Sequence, residues 1–183
     1  MTPWKLLSVL LDYPEDGVAD AGGVEEIERF LAWQRATPLE ERRQVYVQTF
    51  DFDRRATLYL TYHTHGDRRQ RGMELVRIKR RYAETGLPFT AGELPDYLPA
   101  LLEFAALSPD LGVALLGEFR VPLELVRARL HELNSPYADP LDAVVAALPR
   151  PTRAQVAAAR RLAEEGPPTE LVGLEPFAAG AAS

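Results

Sequence analysis

Residues 93–104 read ELPDYLPALLEF, and this stretch sets the frame for the rest of the chain. Leu98, Leu101 and Leu102, with Ala105 beyond them, recur at the three-and-four spacing of a helix that buries one face. Pro99 suits the first turn of such a helix, where its missing N–H costs nothing. Ahead of the helix stand Pro95, Asp96 and Tyr97, and inside it lies one acid, Glu103. A rigid entry, an acid and an aromatic ring before an apolar helix describe a docking site of fixed shape rather than a catalytic centre.

Helical periodicity extends outward in both directions. Trp4, Leu7, Leu10 and Leu11 form one stripe, closed by Pro14, and Val24, Ile27, Phe30, Leu31 and Gln34 form a second. Thr37 is placed to cap a third helix, with Pro38 at its first position and Glu40 and Glu41 in its first turn. That helix runs toward Phe50 and Asp51. A short apolar helix is expected over 55–63. Gly66 breaks it, and Asp67 caps a long helix from Arg68 to about Thr85, ended by Gly86. Further helices are expected at 97–107, 110–118, 122–132, 140–148 and 152–165. Strand signals are weak, because the β-branched and aromatic run 57–62 also satisfies helical spacing. The sequence predicts an all-α, single-domain bundle of about nine or ten helices over residues 1–165. Residues 166–183, rich in Pro, Gly and Ala, are expected to form a flexible tail on which Leu171, Leu174 and Phe177 can fold back.

Bulk composition narrows the function. The chain has 183 residues, 46% hydrophobic, enough for a real core. It contains no cysteine, which excludes disulfides, thiolate nucleophiles and Cys-ligated metal or iron–sulfur sites. The apolar run 6–11 is too short to span a bilayer and lacks the flanks of a secretory signal, so a cytoplasmic location is expected. A net charge of −6 disfavours general nucleic-acid binding and suits a basic partner.

No nucleophile-elbow, P-loop or dinucleotide-binding motif is present, and enzymatic activity is not expected. His63-Thr64-His65-Gly66-Asp67 resembles a metal cluster, but helical residues two apart point about 200° from each other and do not converge. Arg68, Arg69, Arg71, Arg77, Lys79, Arg80 and Arg81 make one helix basic. A solvated face paired with acids such as Glu74 and Glu84 accounts for them better than an anionic ligand does. The aromatic set is more specific. Tyr46 and Phe50 share one helix face, and Tyr59, Tyr62 and His63 share the next. Such stripes are more often core than binding site. Beside the charged junction 50–55, FDFDRR, they also suit a groove whose walls take an apolar peptide face while acids select basic residues.

Three stretches carry a resemblance. These are LLSVLLDYP at 6–14, YVQTFDFDRRATLYLTYHTHGDRRQRG at 46–72, and ELPDYLPALLEFAAL at 93–107. Together they resemble the TorD-like family of redox-enzyme maturation chaperones, in its NarJ-type branch serving nitrate reductase molybdenum cofactor assembly. The wider family often carries His where this chain has Tyr97, and the Tyr is similar to the nitrate reductase branch. The resemblance implies an all-helical chaperone without catalysis of its own. It would bind the apo catalytic alpha subunit of respiratory nitrate reductase through that subunit's N-terminal segment. It would keep the client competent for insertion of molybdopterin guanine dinucleotide before membrane docking. It would hold no cofactor or metal stably, associate with neither membrane nor nucleic acid, and meet molybdenum-cofactor delivery proteins. Another molybdoenzyme of the same superfamily is the alternative client, and a helical nucleic-acid-binding regulator or a metal-dependent hydrolase is a more distant reading. The expected groove has walls of Tyr46, Phe50, Tyr59, Tyr62 and Tyr97, with His63 beside them. Asp51 and Asp96 would meet basic peptide residues, and Arg54 and Arg68 would organise those acids from behind. Pro95 would fix the chain entry, and Glu103 would lie on the same wall.

Overall fold

Apolar stripes at helical spacing bury most of the chain as helices, joined by short links. The computed structural model describes residues 2–17, 27–86, 89 and 92–165. In chain order the helices are α1 (Pro3–Leu11), α2 (Glu28–Ala36), α3 (Leu39–Phe50), α4 (Leu60–His65), α5 (Arg69–Ala83), α6 (Leu98–Leu107), α7 (Pro109–Glu118), α8 (Arg120–Glu132), α9 (Ala138–Ala147) and α10 (Arg153–Glu165). Among the described residues there is no strand, only an isolated antiparallel bridge between Tyr59 and Tyr97. No described helix is long and apolar enough to cross a membrane.

The centre is built on α1 and α6. Thr2 caps α1 by accepting from the Lys5 N–H at 3.3 Å, and Pro3 opens the helix. Leu6, Leu7, Leu10 and Leu11 then face Leu98, Leu101, Leu102 and Ala105 of α6, all of them buried. Each such leucine contributes about 1.5–3 kcal/mol by leaving water. The Ser8 hydroxyl, also buried, donates to the Pro99 carbonyl at 2.9 Å and so meets its own polar demand. Helix α7 folds back on α6 at Ser108-Pro109, and Gly112 allows the close approach: a Cβ there would collide with the backbone of Ala105. Tyr137, wholly buried, centres an aromatic cluster with Phe30, Trp33, Tyr46 and Phe50 at ring separations of 5.0–5.8 Å. On the outside, α10 packs on α8 without a single buried residue. A capping box starts it, with the Thr152 N–H donating to Gln155 Oε1 at 2.9 Å and the Gln155 N–H to Thr152 Oγ1 at 3.2 Å.

The structure shifts several expected boundaries. The helix expected over 55–63 begins only at Leu60. Ahead of it, Asp53 nucleates turns by accepting from the Arg55 N–H through its side chain and from the Ala56 N–H through its carbonyl, both at 2.9 Å. Thr37 ends α2 rather than capping α3; Pro38 holds the cap position, with no side-chain bond. Asp67 does not cap α5, whose cap position is Arg68. Helices α8 and α9 start two residues before Pro122 and Pro140, which both fall in the first turn. Gly86 follows the end of α5 with φ 74°, where glycine is favoured. The start of the second expected stripe, at Val24, and the expected tail 166–183 with Leu171, Leu174 and Phe177 lie outside the described residues.

Candidate partner-binding cleft

Residues 51–59 leave α3 and travel in turns to the start of α4. Phe50, Asp51, Arg54, Thr57, Tyr59 and Tyr62 thereby face Asp67 and Arg71, just before and within the first turn of α5. They enclose an open cleft of about 210 Å³. Five of the expected groove residues thus meet: Phe50, Asp51, Arg54, Tyr59 and Tyr62. Asp51 and Arg54 are exposed, and no hydrogen bond or ion pair engages either side chain among the described residues.

The floor is a polar lattice between distant parts of the chain. The Tyr59–Tyr97 bridge carries two backbone bonds, from the Leu60 N–H to the Asp96 carbonyl at 3.1 Å and from the Leu98 N–H to the Leu58 carbonyl at 2.9 Å. Asp96 is wholly buried. Its Oδ2 accepts from the Thr61 N–H at 3.1 Å and the Thr61 hydroxyl at 2.6 Å, in the first turn of α4, where an anion meets unpaired N–H groups. Asp96 therefore cannot meet a peptide directly in this conformation; it holds the start of α4 in place. The expected supports for the acids also differ. Arg71, not Arg68, lies 3.7 Å from Asp96, and Arg54 makes no ion pair with Asp51 among the described residues.

Tyr46 and Tyr97 stand behind the cleft. The Tyr97 hydroxyl donates to Asp12 Oδ1 at 2.9 Å, so at 2.7 Å it accepts from Tyr46. The Tyr59 hydroxyl donates to Glu93 at 2.6 Å. Burial first, then neighbouring charge or hydrogen bonding, pushes the pKa of Tyr59 and Tyr97 upward, and burial dominates for Tyr46 as well, so all three stay protonated donors. Tyr97 stacks near Tyr59 at 5.3 Å, which links this relay to the cleft wall. Pro95 is buried and its carbonyl accepts from the Tyr82 hydroxyl at 3.3 Å.

Three expected residues sit elsewhere. His63 is buried beneath the wall with Nε2 2.9 Å from the Thr57 carbonyl. Glu103 points to α1 and pairs with Lys5. Arg68 lines a separate cleft of about 750 Å³ with His65, Glu74, Arg77 and Glu118. There Arg77 bridges Glu74 and Glu118, at 2.6 Å to each, and Arg81 reaches Glu84 at 3.3 Å. The Arg77 hydrogen bond holds the Glu74 carboxyl below its ordinary range although burial opposes it. These pairs make much of the basic helix an internally compensated face, and among the described residues no group of three acids or histidines is placed to hold a metal.

The fold and sequence have clear relatives. Residues 17–143 match the model of the nitrate reductase delta subunit family. A Bacillus subtilis protein named as a probable nitrate reductase molybdenum cofactor assembly chaperone, NarJ, is 32% identical over 160 residues, covering 79% of this chain and 87% of the relative. The nitrate reductase-like protein NarX of Mycobacterium tuberculosis is 40% identical over 153 residues; the match covers 77% of this chain but spans only 23% of NarX. In structure, an Archaeoglobus fulgidus protein named as a putative redox enzyme maturation protein superposes with a TM-score of 0.63 at 24% identity, over 78% of this chain and 90% of that one, which establishes the shared fold. Its NarJ relatives are named as assembly chaperones rather than catalysts. With a family match over residues 17–143 and a 32% identical relative of which the match covers 87%, the chain belongs to the nitrate reductase delta subunit family.

Proposed function

We propose that the chain is a cytoplasmic chaperone that binds the apo catalytic alpha subunit of respiratory nitrate reductase. The α3–α5 cleft takes that subunit's N-terminal segment. Binding keeps the client open for insertion of molybdopterin guanine dinucleotide and delays membrane docking until insertion is complete. The cofactor is the client's cargo and needs no resident site here. One observation carries the reading: the cleft sets three aromatic walls, Phe50, Tyr59 and Tyr62, beside Asp51 and Arg54, two exposed charges with no partner among the described residues. An amphipathic peptide helix needs that combination, with apolar walls for one face and charges at the rim. The names of the NarJ relatives support the client class. A partner that favours the open client shifts its population toward loading, and it must later leave, which suits a partly polar interface.

Calorimetric titration of the protein with a peptide copying the alpha subunit N-terminus tests this. Saturable one-to-one binding is expected. Tyr62→Ala should weaken it about tenfold or more, as loss of an aromatic anchor does, and Asp51→Ala should weaken it when the peptide carries a basic residue. A folded protein that ignores this peptide but binds the corresponding segment of another molybdoenzyme would transfer the reading to that client.

A further inference from the structure

Arg71, which the sequence placed only on the basic face of one helix, lines the cleft, and it is held more firmly than Arg54, the other cation there. Its Nε donates to the Thr61 hydroxyl at 3.1 Å, and that hydroxyl donates in turn to Asp96 Oδ2 at 2.6 Å. Its Nη2 lies 3.7 Å from the same carboxylate oxygen, and its guanidinium carbon lies 5.9 Å from the centre of the Tyr62 ring. Thr61, Asp96 and Tyr62 thus fix the guanidinium plane. The Arg71 side chain keeps 20% exposure, and its Nη1 has no partner among the described residues. Asp96 is 0% exposed, and its second oxygen, Oδ1, has no hydrogen-bond partner among the described residues. A buried carboxylate with one bare oxygen is costly to keep. What it holds in place is a guanidinium fork with N–H groups left over at the wall of a cleft.

We infer that Arg71 is the specificity-determining anchor of the cleft and that its outward N–H groups take a carboxylate, the side chain of an Asp or Glu in the bound segment. Asp96 and Thr61 are the positioning residues behind it. This rests on the cleft being the client site. A guanidinium fork recognises a planar carboxylate through parallel hydrogen bonds, and a fork already fixed loses less side-chain entropy on binding. The rest of the lining selects among anions. Asp51 and Asp67 share the cleft with Arg54 and Arg71, so a dianionic phosphate would face two carboxylates. A single carboxylate flanked by basic residues meets a charge of the opposite sign at each wall. The segment that fits is therefore an amphipathic one carrying an acid among its bases.

A double-mutant cycle on the full chain tests the inference. The alpha subunit N-terminal peptide is titrated as such and with each Asp or Glu changed to its amide, against the wild type and Arg71→Gln. One acid-to-amide change should lower wild-type affinity about tenfold or more, as loss of a charge-assisted hydrogen bond does. The same change should cost less than about twofold in Arg71→Gln, and the wild-type loss should shrink as salt is raised. Because Arg71 also supports Asp96, Asp96→Asn is measured alongside. It keeps an acceptor for Thr61 but loosens the fork, so it should weaken the acidic peptide and leave the amide peptide unmoved, a split that a purely structural role does not produce. Acid-to-amide changes that cost the same in all three proteins overturn the inference while leaving the cleft as the client site. A peptide that does not bind, or binds unaffected by Tyr62→Ala, removes the cleft reading and the inference with it.

Discussion

At position 63 a histidine is 4% exposed, with its Nε2 on the Thr57 carbonyl, and burial holds its pKa below the ordinary imidazole value of 6.5 although Thr57 and Asp96 both pull it upward. Because the folded value lies below the unfolded one, the unfolded chain takes up the proton first as pH falls. Stability from this site is full above about 6.5 and declines as pH drops through that value toward the folded pKa. Denaturant unfolding between pH 7.5 and 5.5 should show that decline in the wild type and a flatter profile in His63→Gln, which keeps a donor for Thr57; equal slopes would dismiss the histidine as the source. His63 also shows what single residues reveal in sequence. Its stripe with Tyr59 and Tyr62 is legible at helical spacing, but Tyr62 lines the cleft while His63 turns under it. Asp96 is as visible in ELPDYLP as Asp51 is in FDFD, yet the Tyr59–Tyr97 bridge buries one and leaves the other exposed. Arg71 reads only as one of the basic residues of its helix, because its partners Thr61 and Asp96 lie 10 and 25 positions away.

Helices were readable wherever burial follows the helical period and misplaced where it does not. Ahead of and at the start of α4, within the segment expected as a helix from residue 55, the buried apolar positions are Ala56, Leu58 and Leu60, every second residue, the spacing of a strand rather than of a helix. Alternation over so short a run is hard to separate from a helical stripe until the pairing of Tyr59 with Tyr97 decides it. Pro-led starts at α6 and α7 were legible because proline is tolerated only in a first turn. The closeness of α6 and α7 was not, since Gly112 looks like any helix-weakening glycine until its neighbour is known. Gly112→Val forces a branched side chain against the Ala105 backbone and should destabilise the fold by about 2–3 kcal/mol, from overpacking at a contact that cannot relax sideways. Gly117 provides the control: a Cβ there meets nothing, so Gly117→Ala should be neutral or slightly stabilising in the same thermal melts. Equal losses at the two positions would show that helix propensity rather than the α6–α7 contact sets the cost.

Across the whole molecule the helices differ sharply in how they are held. Helices α1, α6, α8 and α9 each bury five or six residues, whereas α10 contributes no buried residue and packs on α8 alone among the closely packed pairs. Val156 and Ala159 line one surface cleft beside α8, Leu162 and Ala163 a second, and Ala158 and Arg161 a third, so open clefts flank its contact with α8. Among the described residues one long-range bond ties it down, from the Gln155 side chain to the Gly117 carbonyl at 3.3 Å. The family match ends at residue 143, before α10 begins. None of the cleft lining comes from α10, and the network behind the cleft runs through α1, α3, α4, α5 and α6. Stability and recognition should therefore separate. Among the described residues, a chain ending at Pro151 loses little apolar burial and one weak long-range hydrogen bond, a cost of about 1–2 kcal/mol. It should still unfold in one cooperative transition and bind the alpha subunit peptide within about twofold of the full chain, since a distant, independent contact adds little to a binding site. Loss of cooperativity would show that α10 completes the core despite its exposure. A tenfold loss of affinity with cooperative unfolding intact would instead place part of the recognition surface on α8 and α10.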